Sequence, residues 1–252
     1  MSQPWEIYDA LLDGLPDDVV VRTAGQGPRW SRVLNSAGGV GTDWTMDVRS
    51  RPAINEGPLE GRPLRDVGAL AKSWNLAEAS IGQAAINSWY SREQTAAANG
   101  FEPTGEGLTW RQVFDPYREM IVGKRVAVIG HFPFAEAALA GAGEYICLER
   151  NLQPGDWPDS ACEYVLPECD LVFISSSSFV NKTAPRLIEL SCDAHTVLVG
   201  PSTPLNPVLL DYGVDTITGY VAARSLSDPA TLAEMIPAGD IGPGFRVHRH
   251  RA

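Results

Sequence analysis

Two rhythms of apolar and polar positions divide the chain. Residues 4–14 (PWEIYDALLDG) repeat apolar side chains at helical spacing, with Trp5, Tyr8, Leu11 and Leu12 on one side, and predict a helix. Residues 18–50 change to strand-like runs, DVVVRTA and WSRVLNSAGGVGTDWTMDV, broken by the turn-rich GQGP. Helical spacing returns over 63–90: Pro63 opens PLRDVGALAKSW, and LAEASIGQAAINSWY follows. The small residues of IGQAA suit a helix packed closely against a neighbour. Strands followed by helices predict an α+β cap over residues 1–108. Gly, Pro and Thr cluster over 95–108, which reads as a linker, and Thr109 to Gln112 has capping-box spacing for a helix near 109–121.

Residues 109–252 alternate. KRVAVIG, EYICLERN, DLVFIS, HTVLVGPS and VDTITGY read as strands. FAEAALAGAG, DSACEYVLPEC, TAPRLIELSC and DPATLAEMI read as helices, the last opened by Asp228 at the N-cap and Pro229 after it. Strands that are apolar throughout are buried on both faces, so this half predicts a mostly parallel, helix-covered, Rossmann-like sheet. The tail RVHRHRA reads as basic and frayed. The fold class is therefore α/β: a small α+β cap, then a Rossmann-like domain.

Composition narrows the function classes. Apolar residues at 44% and charged residues at 20% describe a chain with a real core, which excludes a disordered or fibrous protein. A net charge of −11 argues against nucleic acid and anionic membranes as partners. No apolar run approaches the roughly 18–20 residues of a membrane span, and MSQPWEIYDALLDGLP lacks the features of a signal peptide, so a cytoplasmic protein is expected. Small-residue helix faces are compatible with a homodimer. Cys147, Cys162, Cys169 and Cys192 form no CxxC pair, and reduced, mostly buried thiols are expected rather than a zinc site.

In such a sheet, ligands sit outside the carboxyl ends of the strands. That rule selects Gly130, His131, Phe132 and Pro133; Glu149, Arg150 and Asn151; Ser175, Ser176, Ser177 and Ser178; and Pro201, Ser202 and Thr203. The first turn, GHFPF, lacks GxGxxG, and Pro133 has no amide hydrogen, which argues against a pyrophosphate cradle. Glu149 lies 19 residues after Gly130, the spacing of an acidic residue that holds ribose hydroxyls, or else it caps its strand or pairs with Arg150. These two readings together favour an adenosine-type ligand without a pyrophosphate, and S-adenosylmethionine fits. The serines, with Asn181 and Thr183, either line the pocket or cap the next helix. His131 is the histidine best placed for acid, base or metal chemistry, or is a turn residue bonded to backbone. Asn87, beside Trp89 and Tyr90, either reaches the site from the cap or bonds a neighbouring loop. Asp43 and Trp44 are weaker cap contributions. No GxSxG elbow surrounds a serine, which argues against a hydrolase.

IGQAAINSWY, GKRVAVIGHFPF, CLERN with PGDWPD, LPECDLVFISSSSFVNKT and VGPSTPLNPVLLDYGVDTITGY, in that order over roughly residues 5–240, resemble the heavy-metal-chelation family, formerly a domain of unknown function. The resemblance implies an enolase N-terminal-like first domain, a Rossmann-like second domain and a ligand pocket between them. His131, Phe132, Pro133, Asn87, Glu149, Asn181, Thr183 and Pro201 to Thr203 would lie near it. Where the family's third-strand motif is expected to carry threonines, this chain has SSSS. Soft-metal chelation wants clustered thiolates or imidazoles. The strand ends offer His131 alone; Cys147 shares a strand face with Glu149, but one thiol is not a site.

The leading expectation is thus a small-molecule enzyme using S-adenosylmethionine for group transfer or intramolecular displacement at the sulfonium carbon. In it Glu149 holds ribose, the serine loop lines the amino-acid side, and Asn87, Tyr90 and Trp44 close the pocket, with catalysis assigned to His131, Asn87 and Tyr90. No metal ligand is expected and metal is not required. The alternative is non-enzymatic handling of a heavy-metal chelate, the organic ligand carrying the metal. A nicotinamide oxidoreductase is disfavoured by the GHFPF turn.

Overall fold

The computed structural model describes residues 3–105 and 110–251. The expected boundary at 108/109 and the capping residue Thr109 lie outside the described residues. Helix α1 (Glu6–Asp13) buries Tyr8, Leu11 and Leu12 of the stripe its spacing predicts, and Ile7 besides, while Trp5 stands at its N-cap and is half-buried. Strands β1 (Val21–Gln26), β2 (Trp30–Asn35) and β3 (Val40–Trp44) form an antiparallel sheet in the order β1-β2-β3. Helix α2 (Leu64–Gly68) leads to α3 (Leu76–Tyr90), which lies across that sheet. Asn75 caps α3 by accepting from the Glu78 N–H.

The close packing read from the small residues is literal. A Cβ built on Gly41 of β3 would stand 1.9 Å from the Ala84 carbonyl and 2.2 Å from the Ser88 nitrogen of α3. The sheet therefore approaches the helix backbone through a position that admits no side chain.

Helix α4 (Glu93–Ala98) and β4 (Glu102–Pro103) occupy much of the expected linker, and β4 joins the second sheet. That sheet contains β5 (Arg125–Ile129), β6 (Glu144–Glu149), β7 (Trp157–Pro158), β8 (Leu171–Ser175), β9 (His195–Val199), β10 (Thr216–Ala222) and β11 (Gly244–His250). Its order is β4-β11-β10-β9-β8-β5-β6-β7, parallel from β10 to β7 and antiparallel at β11 and β4. The chain moves outward one way from β5 to β6 and the other way to β8, so the switch point lies between β5 and β8.

Apolar strands are buried on both faces, as their composition requires. Val126, Val128, Phe173 and Val197 pack on one side against Val113, Phe114, Tyr117 and Ile121. Ala127, Ile146, Val172 and Leu198 face the other, with α6 (Cys162–Val165), α7 (Ala184–Leu190) and the cap. Short α5 (Ala135–Ala138) and α8 (Val208–Asp211), and α9 (Pro229–Met235) with its Asp228 cap, complete the helices.

Two expectations change. The helix near 109–121 is two short 3-10 turns, Trp110–Gln112 and Asp115–Tyr117, because Pro116 cannot continue an α-helix. The tail is not frayed: it is β11, paired with β10 along its length, with Arg246 and Val247 buried. Alternation of Phe245, Val247 and Arg249 against Arg246, His248 and His250 is the strand period written in mixed residues.

Gly41→Ala should lower unfolding free energy by about 1–3 kcal/mol, the usual cost of overpacking. Urea denaturation followed by Trp fluorescence measures it, and an unchanged midpoint would refute the contact.

Candidate functional site

Gly130 follows β5 with φ at +100°, and a Cβ there would lie 3.0 Å from the Ser175 Cβ at the end of β8. The left-handed turn swings His131 out over the neighbouring strand β6. The Glu149 carboxylate fixes that loop: it accepts the N–H of His131 at 2.8 Å, of Arg150 at 2.6 Å and of Asn151 at 2.8 Å.

His131 Nδ1 stands 3.0 and 3.1 Å from the two Asp156 oxygens and 3.9 Å from the Cys147 Sγ. The three ligand atoms all lie within 4.8 Å of one another, the one such group of metal-ligating side chains among the described residues. Cys147 is a buried residue of β6, the Asp156 side chain is 3% exposed and His131 is 26% exposed, so the cluster is sunk below the surface and open at the imidazole. Asp156 belongs to the loop between β6 and β7, where it also accepts the Gln153 N–H at 2.9 Å.

Burial pushes the Cys147 thiol up to about 12, and the neighbouring Asp156 carboxylate adds to the shift. Burial also raises Asp156, but the Gln153 N–H, His131 and Cys147 outweigh it and hold the carboxyl below its ordinary value. This is not a nucleophilic relay. A Cys-His-Asp relay needs the thiol and the carboxylate on opposite ring nitrogens. Here both face Nδ1, and the thiol is made harder, not easier, to ionise. Three donors converging on one point suit a cation instead. Ligands bound at about 2.0–2.3 Å around a tetrahedral ion lie roughly 3.3–3.8 Å apart, so the 3.0 and 3.9 Å separations from Nδ1 need shifts of a few tenths of an ångström, and the group's 4.8 Å span must close further on an ion. One sulfur, one nitrogen and one oxygen describe a borderline to soft metal rather than magnesium or calcium.

The remaining predicted residues divide. Phe132 packs edge-on against Phe114 and beside Phe134, so it is a core wedge under the turn, while Pro133 is exposed. Arg150 pairs with Asp159 at 2.9 Å, and Asn151 is exposed. Ser175 and Ser177 bond each other at 3.0 Å; Ser176 bonds Thr203 at 2.7 Å. Asn181 accepts the Thr183 N–H and hydroxyl, closing the turn before α7. Pro201 adjoins Ser202 in the loop after β9. Tyr90 donates to the Leu11 carbonyl at 2.6 Å, which ties α3 to α1.

A second polar group lies where the cap meets the large sheet. The Asn87 amide donates to the Thr42 carbonyl and to the Ser202 carbonyl, each at 3.0 Å. Ser202 accepts the Trp44 N–H at 3.0 Å and bonds Asp43. Asp43 is fully buried. Burial drives its carboxyl well above the ordinary value, against the opposing bonds from Ser202 and Trp44 and the charge of Lys182. Asp156 was not among the sequence candidates; its signal was the PGD turn beside CLERN, which needed the fold to bring it to His131.

The fold and site thus define a two-part α/β protein with a cluster of His131, Cys147 and Asp156, side chains of metal-ligating type, at the carboxyl edge of a Rossmann-like sheet. Two family models, each described as "Putative heavy-metal chelation", match it: DUF4213 over residues 8–90 and DUF364 over residues 112–246. The chain belongs to the DUF364 family. It is similar to a DUF364 protein of unknown function from Desulfitobacterium hafniense DCB-2, with 36% identity, TM-score 0.85 and 98% of both chains covered. A DUF364 protein of unknown function from Pyrococcus horikoshii shares the fold, with 21% identity and TM-score 0.77 over 98% of this chain and 99% of that one. No curated protein matches the chain. Among the described residues no helix is long and apolar enough to cross a membrane.

These findings correct the cofactor expectation. S-adenosylmethionine gives way to metal: both family models are described by chelation, and a ligand cluster stands where no metal ligand was expected. The Glu149 oxygens that were to hold ribose are engaged by three backbone N–H groups.

A buried acid with a raised folded-state value stabilises the fold fully only below its unfolded value, near 4, and that stability is lost as pH rises. Asp43→Asn should therefore gain stability over the parent progressively above about pH 4. Urea midpoints across pH 4–8 test this, and a constant difference would show that Asp43 does not carry its proton into the fold.

Proposed function

We propose that this protein binds a borderline or soft transition-metal ion, free or already held by a small chelator, through His131, Cys147 and Asp156. The convergence of three donor atoms within 4.8 Å carries the reading. Three protein donors leave a fourth position for water or for a donor atom of a chelator, the arrangement of an open rather than a closed site. The exposed side of His131 supplies the approach. Binding displaces the Cys147 proton, so each metal taken up releases one. The family description supports the same reading, with metal or its complex as cargo.

Glu149 and Gly130 act as positioning residues. The first holds the His131 backbone; the second supplies the turn. Neither donates to the cation.

Titration with Co2+ should produce a thiolate-to-metal charge-transfer band, retained in Cys192→Ser, which removes the exposed thiol, and lost in Cys147→Ser. His131→Ala or Asp156→Ala should weaken binding at least tenfold, about 1.4 kcal/mol. Excess Mg2+ should not compete. A band that survives Cys147→Ser, or no band in the parent, would overturn the assignment.

A further inference from the structure

The opposite edge of the large sheet carries a second set of imidazoles. His248 and His250 of β11 share a face, opposite Thr218 and Thr216 of β10. His195 opens β9, two residues before Val197, which pairs with Thr216, so it stands on that face as well. Thr216 is small and fully buried between them. Its hydroxyl lies 3.0 Å from His250 Nδ1 and 3.4 Å from His195 Nε2, and Tyr117 bonds it too. One hydroxyl offers a single proton to three neighbours.

His248 Nδ1 is buried with no hydrogen-bond partner among the described residues, and its ring centre is 4.9 Å from that of His250. An orphaned buried nitrogen is costly. Residues two apart on a strand lie about 6.5–7 Å apart, within joint reach of one ion for imidazoles on one face. His250 is exposed, so its ring can turn toward the ion without disturbing the core.

The charges nearby tolerate a cation. Glu102 of β4 lies opposite His248, and Asp215 acts on His195. Arg246, on the same face, bonds Thr104, lies over the Trp110 ring and faces Asp115.

We propose that His248 and His250 form a second, nitrogen-rich site for a borderline divalent cation such as Cu2+, Ni2+ or Zn2+, at the amino-terminal edge of the sheet, with water completing the coordination and His195 sharing the Thr216 hydroxyl beside it. It shares no ligand with the His131 cluster and does not depend on that reading.

The test is Cu2+ binding to the full chain carrying Cys147→Ser and Cys192→Ser, which removes thiolate capture. One equivalent should bind, with an electron paramagnetic resonance spectrum showing at least two imidazole nitrogens. His250→Ala, a change at an exposed position, should weaken it at least tenfold, and His248→Ala with His250→Ala should abolish the nitrogen pattern. No bound copper in the parent would overturn the site. So would an unchanged spectrum and affinity in the double His variant, or a loss caused by His131→Ala with His248 and His250 intact.

Discussion

A parallel sheet brings the carboxyl ends of its strands to one edge, where the loops leave backbone groups without ladder partners. Those groups must be satisfied, because a buried N–H or carbonyl without a partner costs as much as a lost hydrogen bond. Most polar side chains along this edge do that work. Glu149 gathers three backbone N–H groups, Asn181 closes the turn before α7, and Thr203 donates to the Gly200 carbonyl at 2.7 Å while bonding Ser176. Once these are accounted for, the His131, Cys147 and Asp156 side chains are the group whose donor atoms converge on each other, with Asp156 also accepting the Gln153 N–H. Function at this edge is read from what the loop hydrogen bonds leave over.

The same constraint governs the junction between cap and sheet. Asn87 bridges carbonyls from both parts, and Tyr8 of α1 donates to the Phe179 carbonyl at 2.7 Å. Arg32, fully buried in β2, donates to the Ile241 carbonyl at 3.0 Å and also to that of Asp240. These bonds run between side chains on one part and main chain on the other, so each fixes the direction of approach as well as the distance. Apolar burial from α1, α3 and the sheet supplies the attraction in one continuous cluster. Directional polar contacts at its rim select one docking out of many that would bury similar area.

The sequence made the sheet legible because its strands are apolar on both faces, a pattern that helices of this length do not share. Asp228 with Pro229 marked α9 for an equally local reason. The tail misled because β11 is an antiparallel strand, held between β10 and the two-residue β4, whose period is written in Arg and His, and a charged strand resembles a solvated end. The site was legible in part. Strand-end logic singled out His131, though for catalysis, and alternation placed Cys147 on the face of Glu149, where a single thiol does not read as a site. Neither rule reaches Asp156, because it sits in a loop whose path depends on tertiary contacts. Ribose spacing also misdirected the reading of Glu149: the same position that could hold a sugar hydroxyl holds backbone N–H groups, and spacing alone does not separate the two acceptors' partners.

In the proposed metal site the donor set gives a place to a thiol disfavoured for ionisation. A nucleophilic cysteine needs a lowered value, which is why such thiols sit beside cations or helix N-termini. Cys147 sits instead against a carboxylate and inside the fold, so without a cation it stays protonated and inert. A divalent ion reverses each of these terms at once. It replaces the thiol proton, it turns the Asp156 charge from an unfavourable neighbour of a thiolate into a co-ligand, and it takes the place between Asp156 and the His131 Nδ1 that faces it. The arrangement that suppresses chemistry at sulfur in the free protein is therefore the one that rewards a soft cation, and it does so without exposing a reactive thiolate in between.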